Sequence, residues 1–444
     1  MLRDLKSCLA AGALLVFAGC TPGSRDVEPA APEITLAWTA EALGALKRTA
    51  EAAPAEGLPS EAASLAEIER YAASAATDQT SATQLDVAAD ALFASLARSF
   101  AQGATLPERA DPEWLIPAQP PPDVTELAAR ASAGESPEDV LRSLLPQSAE
   151  YVALREELAR VSAEAPGAED GDGRTREARL AQLRASMERW RWLPREMPLR
   201  RVEAHVPQLR VTLVEDGQVA QSHAAIVGAR RTQTPAFVAA IRSVTLNPYW
   251  EPPSSILLNE LLPQFRRDPN AAARGNYEVL DRAGRAVALS DVDWSARPFP
   301  YRVRQRPGGA NSLGHIRFDL PNPHAIYLHD TPSRGLFNRA DRALSHGCIR
   351  VQDPVSLAAA VLDGEDEQSL RGRIAGGDNQ VIALAAPLPI YVLYITATLA
   401  PDGAVAYAED LYGRDAGVIA ALDAPDASLA VRRQQSQARC GAPG

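Results

Sequence analysis

The chain has 444 residues, enough for two or three domains at about 150 residues each. Hydrophobic residues make up 46% and charged residues 23%, which excludes a chain disordered throughout and supplies a sizeable core. Acidic residues outnumber basic ones, 56 to 45, for a net charge of -11; a nucleic-acid binder needs a basic face to displace counterions, so the balance argues against that partner.

Residues 1–20 read as a secretory signal. Arg3 and Lys6 give a basic start, and Leu9 to Ala18 form an apolar run too short to span a bilayer comfortably. The run closes on Val16-Phe17-Ala18-Gly19-Cys20, which resembles a bacterial lipoprotein box with Cys20 as the lipidated residue; Phe17 stands where leucine is commoner. The Pro/Ala-rich residues 21–35 follow as a flexible tether. The expectation is a periplasmic protein, lipid-anchored to a membrane without crossing it; Thr21 in place of Asp favours the outer membrane. Of the four cysteines, Cys8 and Cys20 belong to this segment, which leaves Cys348 and Cys440.

Residues 36–163 carry helical periodicity: Leu43 and Leu46, then Leu65, Ile68 and Tyr71, then Val87, Leu92, Leu96 and Phe100, ending at Gly103. Short helices are predicted over 123–130 and 137–145, and a longer one over 152–161. No metal spacing or phosphate loop occurs here, so the region reads as a helical scaffold. Residues 166–173 are a Gly/Asp-rich linker, and a basic amphipathic helix is predicted over 174–190, so that 164–186 forms a linker and helix.

The pattern then changes to β. Leu209 to Val214 and Val219 to Val227 flank Asp216-Gly217, a hairpin signal. Further strands are predicted over 317–320, 325–328, 381–384 and 390–397. Residues 250–305, rich in proline and polar residues, read as an insertion on this scaffold and a lid. The fold class expected is α+β: a helical scaffold region, then a β-rich, β-sandwich-like catalytic domain over 187–415 with an inserted lid, then a tail over 416–444.

Two stretches carry chemistry: Tyr327-Leu328-His329-Asp330 and Ser345-His346-Gly347-Cys348-Ile349-Arg350. A thiol attacks as thiolate, which an adjacent imidazole promotes, and His329 ends a predicted strand while His346 lies two residues before Cys348. Gly347 lets the backbone turn sharply and aim amide N–H groups at an oxyanion. Thiol, imidazole and amide donors together suit acyl transfer through a thioester.

The Ser-His-Gly-Cys-Ile-Arg motif, with a histidine 19 residues upstream (348 − 329), resembles the YkuD-type L,D-transpeptidases of bacterial cell walls. Met187 to Pro194, Gly228 with Gln233-Thr234-Pro235, Asn247-Pro248-Tyr249-Trp250, Arg304 to Gly308 and Asn311 to Gly314 resemble further segments of the large, lid-bearing subgroup. The resemblance implies Cys348 as nucleophile and His329 as general base, oriented by the backbone carbonyl of Asp330. It implies His346 and Gly347 around the oxyanion, and Arg350, Ser345 and Tyr327 toward the substrate. The implied substrate is a peptidoglycan tetrapeptide stem, cleaved with release of D-alanine and joined to a second stem between third-position diamino acids. Water or a protein as acceptor, giving an L,D-carboxypeptidase or protein-to-wall attachment, uses the same thiol. A non-catalytic peptidoglycan-binding lipoprotein is the reading from another class. The resemblance further implies carbapenem inhibition, a place in a cell-wall synthesis complex, and neither a metal nor another cofactor. His205, His223, His315 and His324 read as surface or hydrogen-bonded histidines; Trp190, Trp192 and Trp250 as packing residues; and Cys440 as a free thiol.

Overall fold

A computed structural model describes residues 37–424. The expectations for the signal, Cys20, the tether and Cys440 lie outside the described residues, as does the tail beyond 424. Among the described residues no helix is long and apolar enough to cross a membrane.

Eight helices come first: α1 (Ala40–Glu51), α2 (Ala62–Ala75), α3 (Gln79–Gln102), α4 (Pro107–Ala110), α5 (Val124–Ser132), α6 (Pro137–Arg142), α7 (Ala149–Ser162) and α8 (Arg176–Trp192). Thr39, Asp78, Asp123, Ser148 and Thr175 cap five of them by accepting hydrogen bonds from first-turn amides, which is why each starts where it does. Helix α3 ends at Gly103 as predicted, in the left-handed region at φ 85°; a Cβ there would sit 2.5 Å from Glu188 Oε1. Val87 is exposed, and the buried stripe of α3 is Leu85, Ala89, Leu92, Phe93 and Leu96.

Helix α8 corrects the prediction of a basic amphipathic helix. Its Arg179, Glu188, Arg189 and Arg191 are buried, and each finds partners. Glu188 accepts from the Thr105 amide (2.7 Å) and hydroxyl (2.8 Å) and from Arg191; Arg191 also donates to the Glu56 carbonyl (2.9 Å) and Tyr151 hydroxyl (2.8 Å). Arg189 bridges Asp111 (3.1 Å) to Asp415. A buried guanidinium is tolerable only when so paired. Residues 166–173 are likewise no loose linker: Asp170 accepts from the amides of Asp172 and Arg174, both at 2.9 Å, and Glu169 bridges to Thr175.

The β-rich part contains β1 (Arg201–His205), β2 (Arg210–Glu215), β3 (Gln218–Gly228), β4 (Phe237–Leu246), β5 (Tyr277–Leu280), β6 (Ala286–Val287), β7 (Arg302–Gln305), β8 (Ile316–Asp319), β9 (Leu328–His329), β10 (Ala343–Ser345), β11 (Ile349–Val351), β12 (Gln380–Leu393), β13 (Ala397–Leu399) and β14 (Val405–Tyr407). Nine strands form one sheet in the order β10-β3-β11-β9-β8-β4-β12-β1-β2, and an extra β2–β3 pairing closes eight of them into a ring, with β10 outside it on β3. The α+β class with a β-rich second part is as expected, and its strands are linked by hydrogen bonds all the way round. Closure is possible because β3 is 11 residues long and pairs with β2 on one side and β11 on the other. The Asp216-Gly217 turn has φ of 50° and 77°, the left-handed pair of a two-residue hairpin. The run 325–328 is mostly loop, since only Leu328 and His329 are strand, and 381–384 belongs to the single long strand β12.

Residues 250–305 form a separate small body of helices and the β6-β5-β7 sheet, with its own core of Leu262, Phe265, Val279, Trp294 and Val303. Trp250 and Gln305 bridge its two ends, and Asn311 Nδ2 ties them by donating to the Pro248 and Arg306 carbonyls, both at 3.0 Å. By contrast, one hydrophobic core runs from the first helices into the ring. The expected tail also begins as structure: a further helix (Asp415–Asp423) buries Val418 and Leu422, and Gly417 lies against the Ala110 carbonyl, where a Cβ would meet it at 2.5 Å.

Candidate active site

Strands β9 and β11 run parallel, with Leu328 opposite Ile349 and His329 opposite Arg350. The Ile349 amide donates to the Tyr327 carbonyl at 3.1 Å. Side chains alternate along a strand, so this register gathers Tyr327 and His329 from one segment, and Cys348 and Arg350 from the other, on one face. The rings of Tyr327 and His329 lie 5.7 Å apart. Two short segments, 19 residues apart in the chain, thus supply four functional groups to one spot.

His329 is buried and its Nδ1 donates to the Asp330 carbonyl at 2.5 Å. That bond selects the tautomer whose Nε2 carries a lone pair, as a general base requires. Burial first, then the Arg350 cation, pushes the imidazole down to about 3, only partly offset by the Asp330 carbonyl. Cys348 is half-buried and free, with Sγ 3.8 Å from the Ala325 carbonyl. Burial pushes its thiol up, against the opposing pull of Tyr327 and Arg350. Both shifts favour the neutral thiol and neutral imidazole over a thiolate–imidazolium pair. Burial also raises the Tyr327 phenol, which hydrogen-bonds the sulfur and stays protonated.

The side chain of Asp330 has a different task from its carbonyl. It accepts from the His315 amide (2.8 Å), the Thr331 amide (2.7 Å) and Arg334 (2.6 Å), clamping three segments behind the base. Gly314, at φ 60°, makes room for it: a Cβ would lie 2.3 Å from Asp330 Oδ2.

The loop before Cys348 is braced from within. The Ser345 hydroxyl donates to the Cys348 carbonyl (2.5 Å) and accepts from the Gly347 amide (3.1 Å). Ser345 is buried, and both of these hydroxyl bonds go to the loop that carries Cys348. Gly347 adopts φ 110°, which only glycine takes readily. Among the described residues no acceptor meets the Cys348 amide, which leaves it for an oxyanion. The imidazole of His346 meets the inserted body, its Nε2 2.8 Å from Glu260 Oε1. Arg350 has no carboxylate partner among the described residues, and its buried Nε has no acceptor. An unpaired guanidinium beside the thiol suits a substrate carboxylate or carbonyl.

A family model described as the L,D-transpeptidase catalytic domain, YkuD, matches residues 199–374, and a second, described as the Scaffold domain, matches residues 30–158. Residues 199–374 are thus similar to the L,D-transpeptidase catalytic-domain family. The chain is 35% identical over 215 residues to a putative L,D-transpeptidase of Haemophilus influenzae; the match covers 48% of this chain and 44% of that protein, so the chain spans about half the length of its curated relative. Among solved structures it is similar, at 12% identity, to the avibactam carbamoyl enzyme of Ldtfm (TM-score 0.22, 44% of this chain, 49% of that one). It is similar at the same identity to a cysteine-to-serine mutant of an Enterococcus faecium L,D-transpeptidase (TM-score 0.19, 44% and 50%).

Within the catalytic domain several groups are used that the motif alone did not indicate. Arg317 on β8 is the register partner of His329 on its other side, donates to Asp319 (2.6 Å) and lies over the Tyr327 ring. Thr234 is wholly buried; its hydroxyl donates to the Gly347 carbonyl (2.8 Å) and accepts from the Gly228 amide (2.9 Å). Thr232 donates to the Ser345 carbonyl (2.9 Å). Ala325, beside the thiol, holds φ 54°, strained for a residue with a Cβ, and Asn322 secures that loop through bonds to the Leu320 and Ile326 carbonyls, both 2.6 Å. The other histidines are engaged as expected: His205 with Glu203 (3.0 Å), His223 with Gln221 (3.0 Å), His315 with Asn247 (3.1 Å), and His324 against Phe237. Trp192 packs edge-on against Trp114, and Trp250 lies near Tyr277.

Proposed function

We propose that the protein is an L,D-transpeptidase acting on peptidoglycan tetrapeptide stems through a thioester on Cys348. The observation that carries this is the β9–β11 register, which gathers an oriented base, a free thiol, a phenol and an unpaired guanidinium on one face. Cys348 Sγ attacks the carbonyl carbon of the third residue while His329 Nε2 takes the thiol proton. The Cys348 amide, at the Gly347 turn, faces the oxyanion. The intermediate collapses by breaking the peptide bond, and the departing D-alanine nitrogen takes the proton from His329. An amine on a second stem then attacks the thioester, forms the new amide and releases the thiol. Arg350 and Tyr327 hold the donor. The thioester conserves the energy of the cleaved bond, so no cofactor or ATP is required. The same reading places the protein in the periplasm, anchored through a lipid on Cys20, working within a cell-wall synthesis complex and acylated by carbapenems.

The test is incubation with purified tetrapeptide stems beside a Cys348→Ala control, read by intact mass and product analysis. Free D-alanine, a mass adduct on Cys348 alone and stems joined between third residues are expected. Tripeptide without joined stems makes water the acceptor. A folded protein that releases no D-alanine and forms no adduct, with stems or with a carbapenem, overturns the reading.

A further inference from the structure

The acceptor in this reaction arrives as a primary ammonium, and the face that holds the donor is cationic. Arg350 is unpaired there and Arg317 adjoins it. A second cation needs a carboxylate at the rim, and Asp319 and Asp330 are already committed. Asp319 accepts from Arg317, Ser243 (3.0 Å) and Thr245 (2.5 Å). Asp330 is buried beneath three donors. Glu260 differs from both. It stands on a single π-turn, Leu257–Leu261, in which no residue is buried, and reaches out of the lid to His346, two residues before the nucleophile. The two side chains are 53% and 50% exposed, so the pair is open to a ligand, and only Oε1 of the carboxylate is engaged among the described residues.

Resting on the transpeptidase reading, we infer that Glu260 and His346 form the acceptor-amine subsite, completed only when the lid stands over the catalytic loop. Glu260 binds the ammonium. Its bond to His346 Nε2–H leaves Nδ1 as the lone-pair nitrogen. The bound ammonium gives one proton to solvent, and its nitrogen attacks the thioester carbonyl. The surplus proton of the new C–N bond passes to His346 Nδ1, the C–S bond breaks, and Cys348 leaves as thiolate. The imidazolium, steadied by Glu260, returns its proton to solvent and the thiolate regains one, so the cycle closes without a co-reactant. The division of labour is between a buried base, His329, for the thiol and an exposed one for the amine.

The test is an internal competition. The protein, loaded with tetrapeptide stem, is offered cadaverine, a cation, together with hydroxylamine, which is uncharged near neutral pH, and the amide-to-hydroxamate ratio is read by mass spectrometry. Glu260→Gln should lower the ratio at least fivefold and His346→Asn should lower it as well, while Glu260→Asp, which keeps the charge, restores most of it. A ratio within twofold of the parent in both Glu260→Gln and His346→Asn overturns the inference. Loss of both products together in Glu260→Gln also overturns it, since the carboxylate would then be holding the lid and not the amine. If the parent forms neither product, the transpeptidase reading falls and this subsite with it.

Discussion

The neutral state of His329 makes a prediction with a definite sign. Its imidazole is held near 3 where an exposed histidine stands at 6.5. Between those values the unfolded chain binds a proton that the folded chain refuses, so stability from this group is fully present above pH 6.5 and is lost as pH falls toward 3. The slope is about 1.4 kcal/mol per pH unit, and the full window of roughly 3.5 units corresponds to about 5 kcal/mol. From pH 7 to pH 5 the loss is about 2 kcal/mol. The assay is urea unfolding at half-unit steps from pH 7.5 to 4.5 for the parent and His329→Gln, which keeps a polar side chain but does not titrate. Carboxylates and the other histidines titrate in both proteins and cancel in the difference. The parent should lose about 2 kcal/mol more than the variant by pH 5. Parallel curves would refute burial of a neutral base. A difference of opposite sign would reveal a stored thiolate–imidazolium pair, because a histidine raised above 6.5 adds stability that is lost as pH rises. The matching kinetic expectation is that alkylation of Cys348 keeps accelerating above pH 9, since its thiol is raised above the ordinary 9.0.

Other expectations follow from contacts behind the site. Glu188→Ala strips the partner from the buried Arg191 and from Thr105, and should lower stability by about 3–5 kcal/mol in urea unfolding. Gly314→Ala drives a methyl into Asp330 at a left-handed position; D-alanine release should fall at least tenfold, with a stability loss of about 1–3 kcal/mol. Thr234→Val leaves the Gly347 carbonyl and the Gly228 amide unpaired, costing about 1–3 kcal/mol and loosening the nucleophile loop, so that carbapenem acylation slows while the circular dichroism spectrum is unchanged.

What the sequence disclosed and what it hid divide along the range of the interactions. Capped helices, the Asp216-Gly217 hairpin and the helix end at Gly103 depend on neighbours a few residues apart, and all were legible. The two segments that carry His329 and Cys348 were legible because each motif is local, and the β9–β11 register brings them together. Strand β1 was missed because Arg201-Val202-Glu203-Ala204-His205 carries charged residues that pair with one another, Arg201 and His205 both on Glu203. Strands β9 to β11 are too short to show a period, and their pairing is set by partners far along the chain. Helix α8 misled for the same reason: its charges look solvent-facing until Asp111, Tyr151 and Asp415, from both ends of the chain, are brought against them. The Glu260–His346 contact was hidden too, since nothing near Glu260 in sequence marks it as a neighbour of His346.

The helical region does more than sit beside the catalytic domain. Asp111 holds Arg189 and Arg414, and the chain just after it pairs with the loop under the nucleophile: Leu115 donates to the Ala236 carbonyl (2.7 Å), and Ala236 to the Glu113 carbonyl (2.9 Å). Two residues before Ala236, Thr234 grips Gly347, and Gly347 precedes Cys348. A continuous line of hydrogen bonds thus runs from the scaffold to the turn that aims the thiol. A fragment beginning at residue 195 would lack Asp111 and the edge that steadies Ala236, and would leave Arg414 without its carboxylate partner and Asp415 without its guanidinium. One hydrophobic core also spans both parts, so the ring and the helices before it should unfold as one cooperative unit, with tryptophan fluorescence from the helices and far-UV circular dichroism reporting a single transition.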